Sequence, residues 1–168
     1  MHYDLIIRNG ICILPWGEVR TDIGVLAGRI ATLGVDSRAG ATETFDAAGL
    51  HVLPGLIDAH VHLRDPGNAS IESIPTGTRA AILGGIATVF DMPNTSPAIT
   101  DEATLRWKQD YAAANSYTDF AFYVGATRGN TAALADYETR AGVCAIKVFA
   151  GSSTGLSLIH ISEPTRPY

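Results

Sequence analysis

The sequence predicts an α/β protein in two parts: an all-β segment over residues 1–53, then over 54–155 four strand–helix steps of a parallel sheet or (β/α)8 barrel. Three observations predict it. Up to Leu53, short apolar runs are separated by turn residues; from Leu56 the rhythm changes to strand then helix, repeated; and chemistry-bearing side chains gather at the ends of the predicted strands.

In the first part, Leu5-Ile6-Ile7 breaks at Asn9-Gly10, Ile23 to Leu26 at Ala27-Gly28, and Ile30 to Leu33 at Gly34. Turn residues between short apolar runs read as hairpins. In the second part, Leu56 to Leu63 reads as a strand and Ser70 to Leu83 as a helix ended by Gly84-Gly85. Ala87 to Met92 is the next strand, and Thr100 caps a helix that opens on Asp101 and Glu102 and runs to about Ala114. Phe120 to Val124 is a third strand, Asn130 to Arg140 a helix stopped by Gly142, and Cys144 to Phe149 a fourth strand. Steps of roughly 30 residues are the size of a βαβ unit. A whole barrel needs about 250 residues, so this chain is expected to hold its N-terminal half. Residues 156–168 carry Pro164 and Pro167 and no sustained helical period. They read as a non-native or a disordered tail, and His160 within them is given no catalytic weight.

With 46% hydrophobic and 17% charged residues among 168, the composition is that of a soluble globular domain. A net charge of −5 without a Lys/Arg cluster argues against nucleic acid or an anionic membrane as partner. No apolar run approaches the roughly 20 residues of a membrane span, and no basic-then-apolar leader opens the chain, so a cytoplasmic location is expected. Cys12 and Cys144 show no metal-site spacing and read as reduced, buried thiols.

The most informative stretch is Pro54-Gly-Leu-Ile-Asp-Ala-His-Val-His-Leu-Arg-Asp-Pro-Gly67. Asp58, His60, His62 and Arg64 fall at every second position, which on a regular strand places all four on one face. Two imidazoles on one face can bind one metal ion, and an arginine beyond them can hold an anionic substrate against it. A hydrogen-bonded polar pair is the other account of the histidines. Their place between Pro-Gly turns at the carboxyl end of a barrel strand favours ligands.

With Asp91-Met92-Pro93-Asn94-Thr95 and Ile146-Lys147-Val148-Phe149-Ala150-Gly151-Ser152-Ser153-Thr154-Gly155, this stretch resembles the amidohydrolase superfamily and, within it, the dihydroorotases. The three segments stand in the family's order. The resemblance implies that residues 1–53 are part of a small β-sandwich completed by C-terminal strands. It implies reversible, metal-dependent hydrolysis of dihydroorotate to N-carbamoyl-aspartate, a step of pyrimidine biosynthesis. His60, His62 and Lys147 would be metal ligands and Arg64 and Asn94 substrate holders. The metal is expected to be zinc, as two ions, although manganese, cobalt or iron suit the same donors.

Lys147 lies between Ile146 and Val148, where a buried ammonium is costly. Either it snorkels to the strand end or, as the resemblance implies, it is carboxylated to a carbamate bridging two metals; some relatives bridge with an aspartate instead. The catalytic aspartate and two further histidines are expected beyond this chain, which by itself should be inactive, and the full-length protein is expected to be a homo-oligomer. Asp58 reads as orienting a ligand or filling the barrel layer. Asp65 and Asp91 read as structural acceptors, and residues 151–155 as the loop after the fourth strand. The alternatives are another cyclic amidohydrolase (an allantoinase or a dihydropyrimidinase/hydantoinase), against which Arg64 weighs, or an inactive dihydroorotase-like scaffold partnering a transcarbamoylase.

Overall fold

The computed structural model describes residues 1–151, 153 and 156. It falls into two compact units, Met1–Pro54 and Gly55–Tyr168.

The first unit is one sheet built from β1 (His2–Leu14), β2 (Gly17–Leu26), β3 (Arg29–Leu33), β4 (Gly40–Asp46) and β5 (His51–Val52), in the order β3-β2-β1-β4 with β5 also on β1. Ala27 and Gly28 have φ of 50° and 72° and make the two-residue turn between β2 and β3. Asn9-Gly10 is not a hairpin turn. It is a bulge inside the single long β1, where pairing to β2 jumps from Ile7–Ile23 to Gly10–Thr21. Asn9, at φ 62°, is held by its N–H to Asp22 Oδ1 and its amide to Asp46 Oδ1, both at 2.8 Å. A Cβ on Gly10 would come within 2.7 Å of Val52 Cγ2, so the glycine admits β5. β4 and β5 run parallel to β1 rather than folding back as hairpins. Tyr3, Ile6 and Val35 form the buried core.

The second unit carries β6 (Leu56–Val61), α1 (Ile74–Leu83), β7 (Ile86–Asp91), α2 (Glu102–Asn115), β8 (Asp119–Gly125), α3 (Leu134–Glu138) and β9 (Val143–Lys147). Its strands are all parallel in the order β6-β7-β8-β9, the open half-barrel expected from the strand–helix rhythm. Leu63, Val89, Phe122 and Val124 pack with Ile74, Ile99, Leu105, Ala112 and Tyr137 into one core. Two helix starts differ from expectation by one to three residues. Ser73 rather than Ser70 caps α1, and Asp101 rather than Thr100 caps α2, each closing a reciprocal box with a threonine at the third helical position, Thr76 and Thr104. Asn130 caps nothing: its side chain accepts from Thr127 N–H and donates to the carbonyls of Thr100 and Gly125, leaving a 3-10 turn before a five-residue α3. Among the described residues no helix is long and apolar enough to cross a membrane.

Candidate active site

In a parallel sheet all carboxyl ends open on one edge, and side chains there converge. His60 and His62 lie at that end of β6, Asn94 follows β7, and Lys147 is the last residue of β9.

The even spacing from Asp58 to Arg64 does not survive intact. β6 ends at Val61, and its pairing with β7 skips from Asp58–Val89 to Val61–Asp91, so β6 carries one extra residue there. Asp58 is taken up locally, its Oδ1 accepting the His60 N–H at 3.0 Å. Arg64 lies beyond the strand, its N–H bonded to Glu72 O at 2.8 Å. The bulge still leaves His60 and His62 as neighbours, with ring centroids 5.3 Å apart. The Ala59 carbonyl, free of the β7 ladder, accepts the Tyr123 hydroxyl of β8 at 2.9 Å. Burial, with Cys144 beside it, raises the Tyr123 pKa and keeps this hydroxyl a donor. Cys144, half-buried, is a free thiol whose pKa burial also raises.

The loops after β6 and β7 are laced together. Met92 N–H donates to Val61 O at 3.0 Å and Ser96 N–H to Pro66 O at 3.1 Å. Gly67, at φ 107°, lies so close to Ser96 that a Cβ would sit 2.7 Å from the Ser96 carbonyl oxygen. Within this lacing, His62 Nδ1 lies 2.9 Å from Asn94 Oδ1. With the amide oxygen as acceptor, Nδ1 carries the proton and Nε2 keeps its lone pair, the tautomer a metal-binding imidazole needs. Asn94, expected to touch substrate, therefore spends its oxygen on a histidine.

Asp91 Oδ1 accepts the Leu63 N–H at 2.9 Å, and Asp65 Oδ2 faces the Ile74 N–H at 3.4 Å at the start of α1, both structural as expected. Asp91 is fully buried, and its other oxygen meets Lys108 Nζ of α2 at 2.6 Å. Burial raises the Asp91 pKa, and the lysine cation opposes that. Lys108 escaped the sequence reading. The available signal was its place with Leu105 and Ala112 on the buried stripe of α2, where an unpaired lysine would not be tolerated. Tyr123 also went unnoticed, because nothing local marks a strand tyrosine as reaching two strands away.

Lys147 is half-exposed, with Nζ 5.2 Å from the Phe149 ring centroid. No hydrogen bond or ion pair joins it to the histidines among the described residues. Arg64 is half-buried and forms no ion pair among them either. Two adjacent imidazoles, one fixed in the right tautomer, fit part of a metal's donor set. No group of three or more His, Cys, Asp or Glu among the described residues is arranged to complete it. His160 and most of the loop over 151–155 lie outside the described residues.

Residues 49–155 match the model of a family described as dihydro-orotase-like. The chain is 41% identical over 150 residues to an allantoinase of Desulfitobacterium hafniense strain Y51, covering 89% of this chain and 33% of the relative. It is 37% identical over 154 residues to an allantoinase of Deinococcus radiodurans, covering 91% and 34%. The L-hydantoinase (dihydropyrimidinase) from Arthrobacter aurescens superposes with a TM-score of 0.82 at 29% identity, over 89% of this chain and 34% of that one. The chain thus spans about a third of the length of the relatives it matches.

Proposed function

The chain belongs to the dihydro-orotase-like family, and on that premise we propose that the full-length protein is a metal-dependent cyclic amidohydrolase opening the ring of a cyclic ureide of the allantoin or hydantoin kind. The observation that carries the reading is the His60/His62 pair, with rings 5.3 Å apart and His62 Nδ1 held by Asn94. The resemblance to allantoinases and a hydantoinase supports the choice of ring. Dihydroorotate, expected on the strength of Arg64 and Asn94, is the less supported ring because these relatives are named allantoinase and hydantoinase.

Hydrolysis adds water across the ring amide: oxygen bonds to the carbonyl carbon, the carbon–nitrogen bond breaks, and the nitrogen leaves with a proton. His60 and His62 would hold the metal, with Lys147, carboxylated to a carbamate, a third donor from the far strand. A bound metal supplies water of lowered pKa and a polarised carbonyl. Asn94 fixes the His62 tautomer, and Tyr123 and Asp91 hold the backbone on either side of the histidines.

A second reading keeps the carboxylate-bearing dihydroorotate as substrate, and one observation favours it: a half-buried arginine at this edge without an acidic partner among the described residues. Steady-state hydrolysis of allantoin, hydantoin and dihydroorotate by the zinc-loaded full-length protein decides between them. Preference for either ureide supports the first reading, preference for dihydroorotate replaces it with the second, and hydrolysis of none refutes both.

A further inference from the structure

We propose that Lys108 is a positioning residue that holds the His62-Leu63 segment in register, acting through Asp91; its bearing on metal binding rests on the reading of His60 and His62 given above. β6 ends at Val61, so the Leu63 N–H has no strand carbonyl to bond. The Asp91 carboxylate takes that place, with Oδ1 2.9 Å from Leu63 N, and so extends the β6–β7 register two residues past the strand. A carboxylate can turn, and this one is held from the other side: Lys108 Nζ lies 2.6 Å from Oδ2, with both side chains 0% exposed. Neither Oδ2 nor Nζ has a further hydrogen-bond partner among the described residues, and Nζ sits 5.1 Å from the Phe122 ring centroid. Among the described residues this carboxylate is therefore the lysine's one charged partner.

Packing does not call for such a pair. Lys108 occupies the buried stripe between Leu105 and Ala112, where an apolar side chain would complete the core. Replacing a buried ion pair by apolar residues is often neutral or stabilising. What the pair adds is direction: with Oδ2 anchored, Oδ1 is aimed at the residue next to His62.

The test uses the full-length protein with zinc and two variants, Lys108→Met/Asp91→Leu, which leaves no buried charge, and Lys108→Met alone. Amide exchange resolved at Leu63 and competition for zinc by a chelator are read beside thermal melting. Lys108→Met keeps the Asp91 acceptor and removes only its anchor, and the expected result for it is Leu63 exchanging at least tenfold faster with α1 unchanged and zinc retention weakened at least tenfold. The double variant, which removes the acceptor too, should melt close to wild type and change both readouts at least as much. Wild-type exchange at Leu63 in Lys108→Met, or faster exchange with unchanged zinc retention, overturns the proposal. If Lys108→Met does not fold, wild-type Leu63 exchange in the double variant overturns it, and faster exchange with weakened zinc retention supports it. If wild-type protein retains no zinc, the ligand reading of the histidines fails, while Leu63 exchange still decides whether Lys108 holds the segment.

Discussion

Asn94→Ala separates two roles for one side chain. The amide oxygen lies 2.9 Å from His62 Nδ1 in a partly buried setting, whereas the expected role was to grip substrate. A neutral hydrogen bond of this kind contributes roughly 0.5–1.5 kcal/mol net, and each 1.4 kcal/mol or so is about tenfold in an equilibrium constant. Partners that orient a metal-binding histidine typically cost about 10–100-fold in metal affinity when removed. The alanine variant of the full-length protein should therefore release zinc to a competing chelator at about tenfold lower chelator concentration. Asn94→Asp, which keeps an oxygen at the same place, should stay close to wild type in zinc retention. Chelator competition followed by steady-state kinetics at saturating zinc reads both effects. Wild-type zinc retention in the alanine variant with a raised KM would refute the orienting role and return Asn94 to the substrate.

Arg64→Met should cost about 2–3 kcal/mol in kcat/KM on a carboxylate-bearing ring, and far less on allantoin; kinetics on both rings measures the contrast. Phe122→Ala removes a ring 1% exposed in the centre of the half-barrel core and should destabilise the unit by about 3–5 kcal/mol, read from urea unfolding. In the first unit, the Arg8 guanidinium and then the Asn9 N–H hold Asp22 below its ordinary pKa of 3.8. A carboxyl depressed by folding adds stability above 3.8 and loses it as pH falls through the lower folded value. Asp22→Asn should thus lower the melting temperature at pH 6 and converge on wild type toward pH 2, as melts across that range would show.

The half-barrel was legible because hydrophobic periodicity changes at the boundary between the two units. Ile86 to Asp91 and Asp119 to Gly125 are apolar, short and separated by a helix with its own capping box. The histidine pair was legible for the same reason, since strand-end placement follows from spacing. The bulge was not, because an extra residue in β6 leaves the written alternation of Asp58, His60 and His62 unchanged and shows only against β7. Lys108 was only faintly legible: its spacing from Leu105 and Ala112 puts it on the apolar stripe, but the partner that makes a buried lysine tolerable lies on another element. The contact of Asn94 with His62 was not legible either, because the loops that bring the two together meet where Gly67 packs against Ser96 across 29 residues of sequence. The expectation of a carboxylate-bearing ring came from Arg64, whereas the relatives carry the name allantoinase, a difference that no local residue pattern announces.

The irregularity in β6 decides how portable the histidine pair is. A protein engineer who copied His60-Val61-His62 onto a regular strand would reproduce the spacing, yet the graft would lack the turned-out Ala59 carbonyl for Tyr123 to grip and the extra residue that returns Val61 to Asp91. The smallest transplantable unit is therefore three strands wide, with β7 supplying the acceptor for Leu63 and β8 the hydroxyl. Shorter cassettes would carry the letters of the motif into a host that cannot spell it.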